Sequence, residues 1–134
     1  MDAFDQYVRQ LCPGDPPIFD VMLLGLGEGE RRWQVDRLLG HPLFRSGAEH
    51  PTLIVGDFND WRDALHAGTL AAEGFRQVTS PPSAFRSFPA WLPLGSLDKA
   101  FARGVEIGNA RVVRTSLTRV ASDHLPLVVD FHLA

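Results

Sequence analysis

The sequence predicts an α+β domain built on a mostly antiparallel sheet, and three observations carry that prediction. Helix-like and strand-like segments alternate only as far as Gly74. Beyond it, "FRQV", "AFRSF", "SLDKAFAR", "VEIGNARVVR" and "LPLVVDFHL" follow one another with no helix between them. Sequential strands joined by short loops pair antiparallel. Second, "TLIVGDF" is an uninterrupted apolar run with loop residues on both sides, the mark of a strand buried on both faces. Third, 134 residues with 45% hydrophobic content suit one globular domain with its own core.

Taken in order, Phe4, Tyr7, Val8 and Leu11 recur at helical spacing, and "CPGDPP" forbids continuation. "IFDVMLLGL" reads as a buried strand. Its glycine-rich exit, "GLGEGE", has the wrong spacing for either common nucleotide-binding fingerprint. From Glu28 to Leu39 the pattern is helical, with Val35, Leu38 and Leu39 on one stripe and charged residues opposite. "RSGAEHP" is a loop, and "TLIVGDF" is the strand already noted. After it Asn59 or Asp60 can cap a helix, supported by Asp63, with Trp61, Ala64, Leu65 and Gly68 turned toward the core. Trp33, Trp61 and Trp91 read as packing residues rather than a base-stacking platform.

Charge and composition exclude several classes. A net charge of −3 gives no global pull toward nucleic acid or acidic membranes, although thirteen Lys and Arg leave room for a local basic patch. One cysteine permits no intrachain disulfide, which fits a reducing, cytoplasmic setting. No apolar run is long enough to span a bilayer, and "MDAFDQYVRQL" does not read as a secretory signal.

Three short polar clusters stand at the ends of buried segments. They are Asp57 and Asn59 after "TLIVG", Asp98 in "GSLDKAF", and Asp123–His124 in "ASDHLPLVV". Each has a plain alternative. Asp57 and Asn59 could cap a helix, Asp98 could be a turn residue, and Asp123–His124 a capped loop. Together, however, they suit one chemistry. Carboxylates bind a hard divalent cation or take a proton from water, an amide donates to a developing oxyanion, and a histidine beside a carboxylate is held ready to donate to a phosphoryl oxygen. That is the equipment of metal-assisted phosphate-ester hydrolysis. His41, His50, His66 and His132 have no such partner pattern and read as surface or structural.

"GDFND", "SLDKAF" and "SDHLPLV", in this order, resemble the C-terminal half of the endonuclease/exonuclease/phosphatase superfamily. The resemblance runs from about Ile18 to the C-terminus. "GLGEGERRWQVDRLL" is similar to the family's helix after its central strand, and "FRSFPAWLPLGSLDKAF" is closest to uncharacterised bacterial members. The resemblance implies half of a two-sheet β-sandwich flanked by helices over residues 18–134, with residues 1–17 an N-terminal helix and loop atypical of the family. It implies that Asp57 orients or deprotonates the attacking water and Asn59 stabilises the pentacovalent phosphorus. Asp98 supports the site by holding metal or a catalytic partner, Asp123 orients His124, and His124 contacts the scissile phosphate. The implied cofactor is Mg²⁺ or Mn²⁺, weakly held, with Asp57 and Asp123 as ligands. The implied substrate is a phosphate ester: nucleic acid, phospholipid head group or sugar phosphate.

The chain also departs from the family pattern. The N-terminal half, with its first-strand asparagine and metal-binding glutamate, has no counterpart. Leu23 stands where a histidine would align, and Glu28 and Glu30 lie in a helix start. A weakened or inactive phosphoesterase is therefore expected, the alternative being a non-catalytic remnant that serves association. Without the other half, one sheet face lacks cover, and a homodimer through that face is expected.

Overall fold

The computed structural model describes residues 8–12, 18–22, 28–40 and 51–132. Five strands form the main sheet: β1 (Val8–Cys12), β2 (Ile18–Met22), β3 (Thr52–Asp57), β4 (Arg76–Gln77) and β5 (Asp98–Arg103), in spatial order β1-β2-β3-β5-β4. Only β2 and β3 pair in parallel; the other neighbours are antiparallel. A parallel pair needs a crossover, and α1 (Glu28–Gly40) lies in the chain between these two strands. β6 (Glu106–Val112) and β7 (Leu127–His132) form a separate antiparallel pair, with the single turn α2 (Thr118–Ala121) in the connection between them. The α+β class with a mostly antiparallel sheet is therefore the observed one.

Strand β3 is buried on both faces, as its unbroken apolar run predicts. On one face Ile54 packs with Phe101 of β5, with Val35, Leu38 and Leu39 of α1, and with Phe58, Leu65, Leu70 and Phe75. On the other, Leu53 packs with Ala102 and Val105, against Val55, Val78, Ile107 and Phe131. Ile107 and Phe131 belong to β6 and β7, so the two-stranded sheet supplies cover for the second face. This corrects the expectation that one sheet face lacks cover. What remains between the sheets is a cleft of about 550 Å³, whose lining includes Leu53, Val55, Leu127, Val129 and Phe131.

Other expectations are also corrected. Val8–Cys12 is a strand, paired with β2, where helical spacing predicts part of a helix over Phe4–Leu11; residues 4–7 lie outside the described residues. A strand partner decides the conformation of so short a segment over its own periodicity. "FRQV" shrinks to the two residues of β4. Of "AFRSF", Ala84 ends a 3₁₀ turn, Pro82–Ala84, and Phe88 makes one isolated bridge with Gly95.

The helix expected from Trp61 onward is confined to a short helical stretch, His66–Leu70, kinked at Gly68, whose φ of −94° and ψ of −125° are not helical. Asn59 and Asp63 adopt φ of 51° and 56°, left-handed values that a helix cannot propagate through. Asp60 is not the N-cap, which is Leu65, but its buried carboxylate accepts the N–H groups of Ala64 at 3.1 Å and Leu65 at 3.0 Å just ahead of that stretch. Leu65 is buried, but Trp61 is not. Trp33 and Trp91 are exposed as well, Trp33 because it stands on the wet side of α1 beneath the Arg37 guanidinium.

Candidate active site

The antiparallel register of β3 and β5 sets Asp57, the last residue of β3, directly opposite Asp98, the first of β5. Asp98 thus opens a strand rather than making a turn. His124, just before β7, reaches the same place: its Nδ1 lies 2.7 Å from Asp98 Oδ2, and its Nε2 lies 3.8 Å from Asp57 Oδ2. A carboxylate accepts, so the proton of that shorter contact sits on Nδ1, and Nε2 is the nitrogen turned toward Asp57.

The backbone holds each group. The other oxygen of Asp57, Oδ1, accepts the Asn59 N–H at 2.8 Å. Asn59 is half-buried beside the site. Asp123 is exposed; its carbonyl accepts the Ala90 N–H at 2.8 Å. Asp57, Asp98 and His124 place donor atoms within 4.8 Å of one another, a group that does not include Asp123. Asp123 acts there through its charge.

The electrostatics follow from the crowding of acids around one imidazole. Burial pushes the Asp57 carboxyl above its ordinary value. The Asn59 N–H opposes this, the charges of Asp98 and Asp123 add to it, and that of His124 opposes it. Burial alone would lower His124, but the hydrogen bond to Asp98 and the charges of Asp98, Asp57 and Asp123 outweigh it, so the imidazole is raised and favours its charged form.

The donor set fits a hard divalent cation. Mg²⁺ is commonly bound through one or two carboxylates and keeps several waters, and Asp57 and Asp98 offer two at adjacent strand ends. His124, committed to Asp98 and inclined to be protonated, is a poor ligand and a good donor.

Three supporting residues escape the sequence reading. Ser87, fully buried, donates its hydroxyl to Asp98 Oδ2 at 2.5 Å, and its carbonyl accepts the Leu125 N–H at 2.8 Å, so one residue braces both partners of the Asp98–His124 pair. Lys99, fully buried, donates to Asp63 Oδ1 at 2.7 Å, and Gln77 Nε2 donates to the same oxygen at 2.6 Å. Lys99 carried a readable signal: it shares one face of β5 with Phe101 and follows buried Leu97 by two residues, and a lysine between two inward apolar residues needs a partner. Ser87 carried none, since its role comes from a contact distant in sequence. Of the remaining histidines, His66 is structural, its Nε2 lying 2.8 Å from the Phe75 carbonyl, and His132 faces Glu106 at 2.6 Å on the surface. His41 and His50 lie outside the described residues. No helix among those residues is long and apolar enough to cross a membrane.

A profile of the Endonuclease/Exonuclease/phosphatase family matches residues 4–124, a span that takes in most of the N-terminal segment set apart on sequence grounds. The uncharacterised protein YbhP of Escherichia coli is 32% identical over 133 residues, covering 95% of this chain and 51% of YbhP; the chain thus spans about half the length of that relative. Among solved structures, a functionally unknown conserved protein from Enterococcus faecalis superposes with a TM-score of 0.71 at 22% identity, over 91% of this chain and 52% of that one. A mannosyl-6-phosphatase from Bacteroides thetaiotaomicron superposes with a TM-score of 0.64 at 15% identity, over 87% of this chain and 51% of that one.

Proposed function

The chain belongs to the Endonuclease/Exonuclease/phosphatase family, and from that premise we propose that it is a metal-dependent phosphoesterase whose site is Asp57, Asn59, Asp98, Asp123 and His124. The observation that carries the reading is the facing pair, Asp57 Oδ2 and His124 Nε2, 3.8 Å apart. That separation is too long for a good direct hydrogen bond, and a water set against both can donate to Asp57 Oδ2 and accept from His124 Nε2.

Each residue then has a task. Asp57, with its raised carboxyl, accepts a proton from water as that oxygen attacks phosphorus and the ester P–O bond breaks. His124, oriented by Asp98 and carrying its second proton, donates from Nε2 to a non-bridging oxygen as charge builds there. Asn59 adds an amide donor, and Asp123 biases His124 toward its charged form. Asp57 and Asp98 would hold Mg²⁺ or Mn²⁺, with Asp123 as the outlying acid; a bound ion supplies charge neutralisation at the phosphoryl oxygens. Two carboxylates imply weak affinity. The substrate class is a phosphate ester.

The alternative, an association module, draws on the apolar cleft between the sheets. No observation among the described residues favours a second copy of the chain as its occupant.

The test is hydrolysis of bis(4-nitrophenyl) phosphate by the purified chain, with Mg²⁺, Mn²⁺ or chelator, beside Asp57→Ala and His124→Ala. Slow, metal-dependent turnover lost in both variants is expected. Turnover unchanged in both variants, or none from a folded chain with either metal, overturns the reading.

A further inference from the structure

Apolar exposure is concentrated around the site. Apart from Trp33, the large hydrophobic side chains exposed among the described residues are Trp61 at 54%, Trp91 at 65%, Leu92 at 47%, Leu94 at 63%, Leu117 at 71% and Val120 at 80%. Trp61, Trp91, Leu92 and Leu94 lie in loops joined to the His124 end, and Leu117 and Val120 precede His124 closely in sequence. Trp61 packs over Gly95, and its ring meets that of Phe88, with centroids 5.9 Å apart. Phe88 in turn meets the His124 ring at 4.8 Å. Trp91, Leu92 and Leu94 form the tip between the bridged residues Phe88 and Gly95, and that tip is tied to the site loop by the Ala90 N–H to Asp123 carbonyl bond. Leu117 and Val120 lie in and beside α2, immediately before Ser122–His124. These are loop tips, not the sheet faces that line the inter-sheet cleft.

Two of these loops carry arginine and no acid up to the site itself, whereas the Trp61 loop holds Asp57, Asp60 and Asp63. Residues 79–97 and 107–122 contain no Asp or Glu, while Arg86, Arg114 and Arg119 are exposed there. The chain as a whole is acidic, at −3, so these arginines give the two segments of the apolar rim that carry Trp91, Leu92, Leu94, Leu117 and Val120 an excess of positive charge, with exposed Asp123 the acid next to them.

We propose that this rim docks on the surface of an anionic lipid bilayer. Trp and aliphatic side chains bounded by arginines are what a headgroup layer accepts: indole sits at the interface, aliphatic chains reach the acyl boundary, and guanidinium meets lipid phosphate. Single-stranded nucleic acid would also use Trp and Arg, but bases stack on aromatic and guanidinium planes, and four of the six exposed groups are aliphatic. Docked in this way, the Asp57–His124 end of the sheet faces the phosphate esters of the headgroups. That corollary alone rests on the phosphoesterase reading; the docking does not.

The experiment is co-sedimentation of the full chain with vesicles of phosphatidylcholine, alone or mixed with phosphatidylglycerol, alongside tryptophan fluorescence. The chain is expected to sediment with the mixed vesicles and not with phosphatidylcholine alone, with a blue shift that Trp91→Ser diminishes. The pair Trp91→Ser and Leu94→Ser should weaken binding about tenfold or more. Arg86→Glu with Arg119→Glu should abolish the dependence on phosphatidylglycerol. All four positions are exposed, so folding is expected to survive, and circular dichroism checks it. His124→Ala should bind vesicles like the parent chain, which separates docking from hydrolysis. Equal sedimentation with both vesicle types, or affinity for a single-stranded oligonucleotide but not for vesicles, overturns the proposal. So does a self-association that Leu94→Ser dissolves without any vesicle binding.

Discussion

A single buried hydroxyl decides how firmly the histidine of the site is aimed. Asp98 Oδ2 accepts from both Ser87 Oγ and His124 Nδ1, so Ser87 limits the positions from which the carboxylate can hold the imidazole. Removing the hydroxyl leaves one buried acceptor under-satisfied and frees Asp98 to rotate. Ser87→Ala should therefore cost about 1–3 kcal/mol of stability and lower the turnover proposed above about tenfold to a hundredfold, the usual scale for a partner one step removed from the chemistry. Urea melts and kcat/KM on the same preparation check both. A stability loss with unchanged turnover would make Ser87 a packing residue only. The three groups that meet, Asp57, Asp98 and His124, were legible in the sequence because each stands at a strand end in a polar cluster. Ser87 was not, because it is joined to them only by folding.

Among elements, β5 is bound to the β3–β4 connection by the Lys99–Asp63 pair. Lys99 is fully buried, and Asp63 holds it from a residue in left-handed backbone. Removing the acid strands a buried ammonium, so Asp63→Ala should destabilise the chain by about 3–5 kcal/mol, a large share of the 5–15 kcal/mol typical of a domain. Burial alone would raise the Asp63 carboxyl, yet the hydrogen bonds from Lys99 and Gln77 and the Lys99 charge bring it below its ordinary 3.8. Its folded-state pKa is thus the lower one. Its contribution is complete above 3.8 and is lost as pH falls through the depressed value. Urea midpoints of the parent chain should therefore drop across that acidic window, and those of Asp63→Ala should drop less. α1 and β3 were legible because their periodicity coincides with their burial. β1 was not, since what makes it a strand is β2. Trp61 was misplaced because two left-handed residues, Asn59 and Asp63, cancel the helical phase that would have turned it inward.

At the scale of the molecule, the two sheets differ in how deeply they are held. β3 and β5 include fully buried residues, whereas no residue of β6 or β7 is fully buried. Opening free energy follows such burial, so amides of β6 and β7 should exchange with deuterium sooner than those of β3 and β5, and equal protection across both sheets would refute this. His124 stands at the border. It precedes β7, yet its neighbours on either side are strapped to the loop before β5 through the bonds Ala90 N–H to Asp123 O and Leu125 N–H to Ser87 O. Asp57 and Asp98 thus ride on the stiffer sheet, while Asp123 and His124 ride on the edge of the looser one. If β6 and β7 open ahead of β3 and β5, the triad is assembled in only a fraction of the molecules and should come apart on heating before the chain melts. Any ligand needing all three groups binds with an apparent dissociation constant divided by that fraction, so whatever presses β6 and β7 onto β3 will tighten ligand binding without touching a site residue.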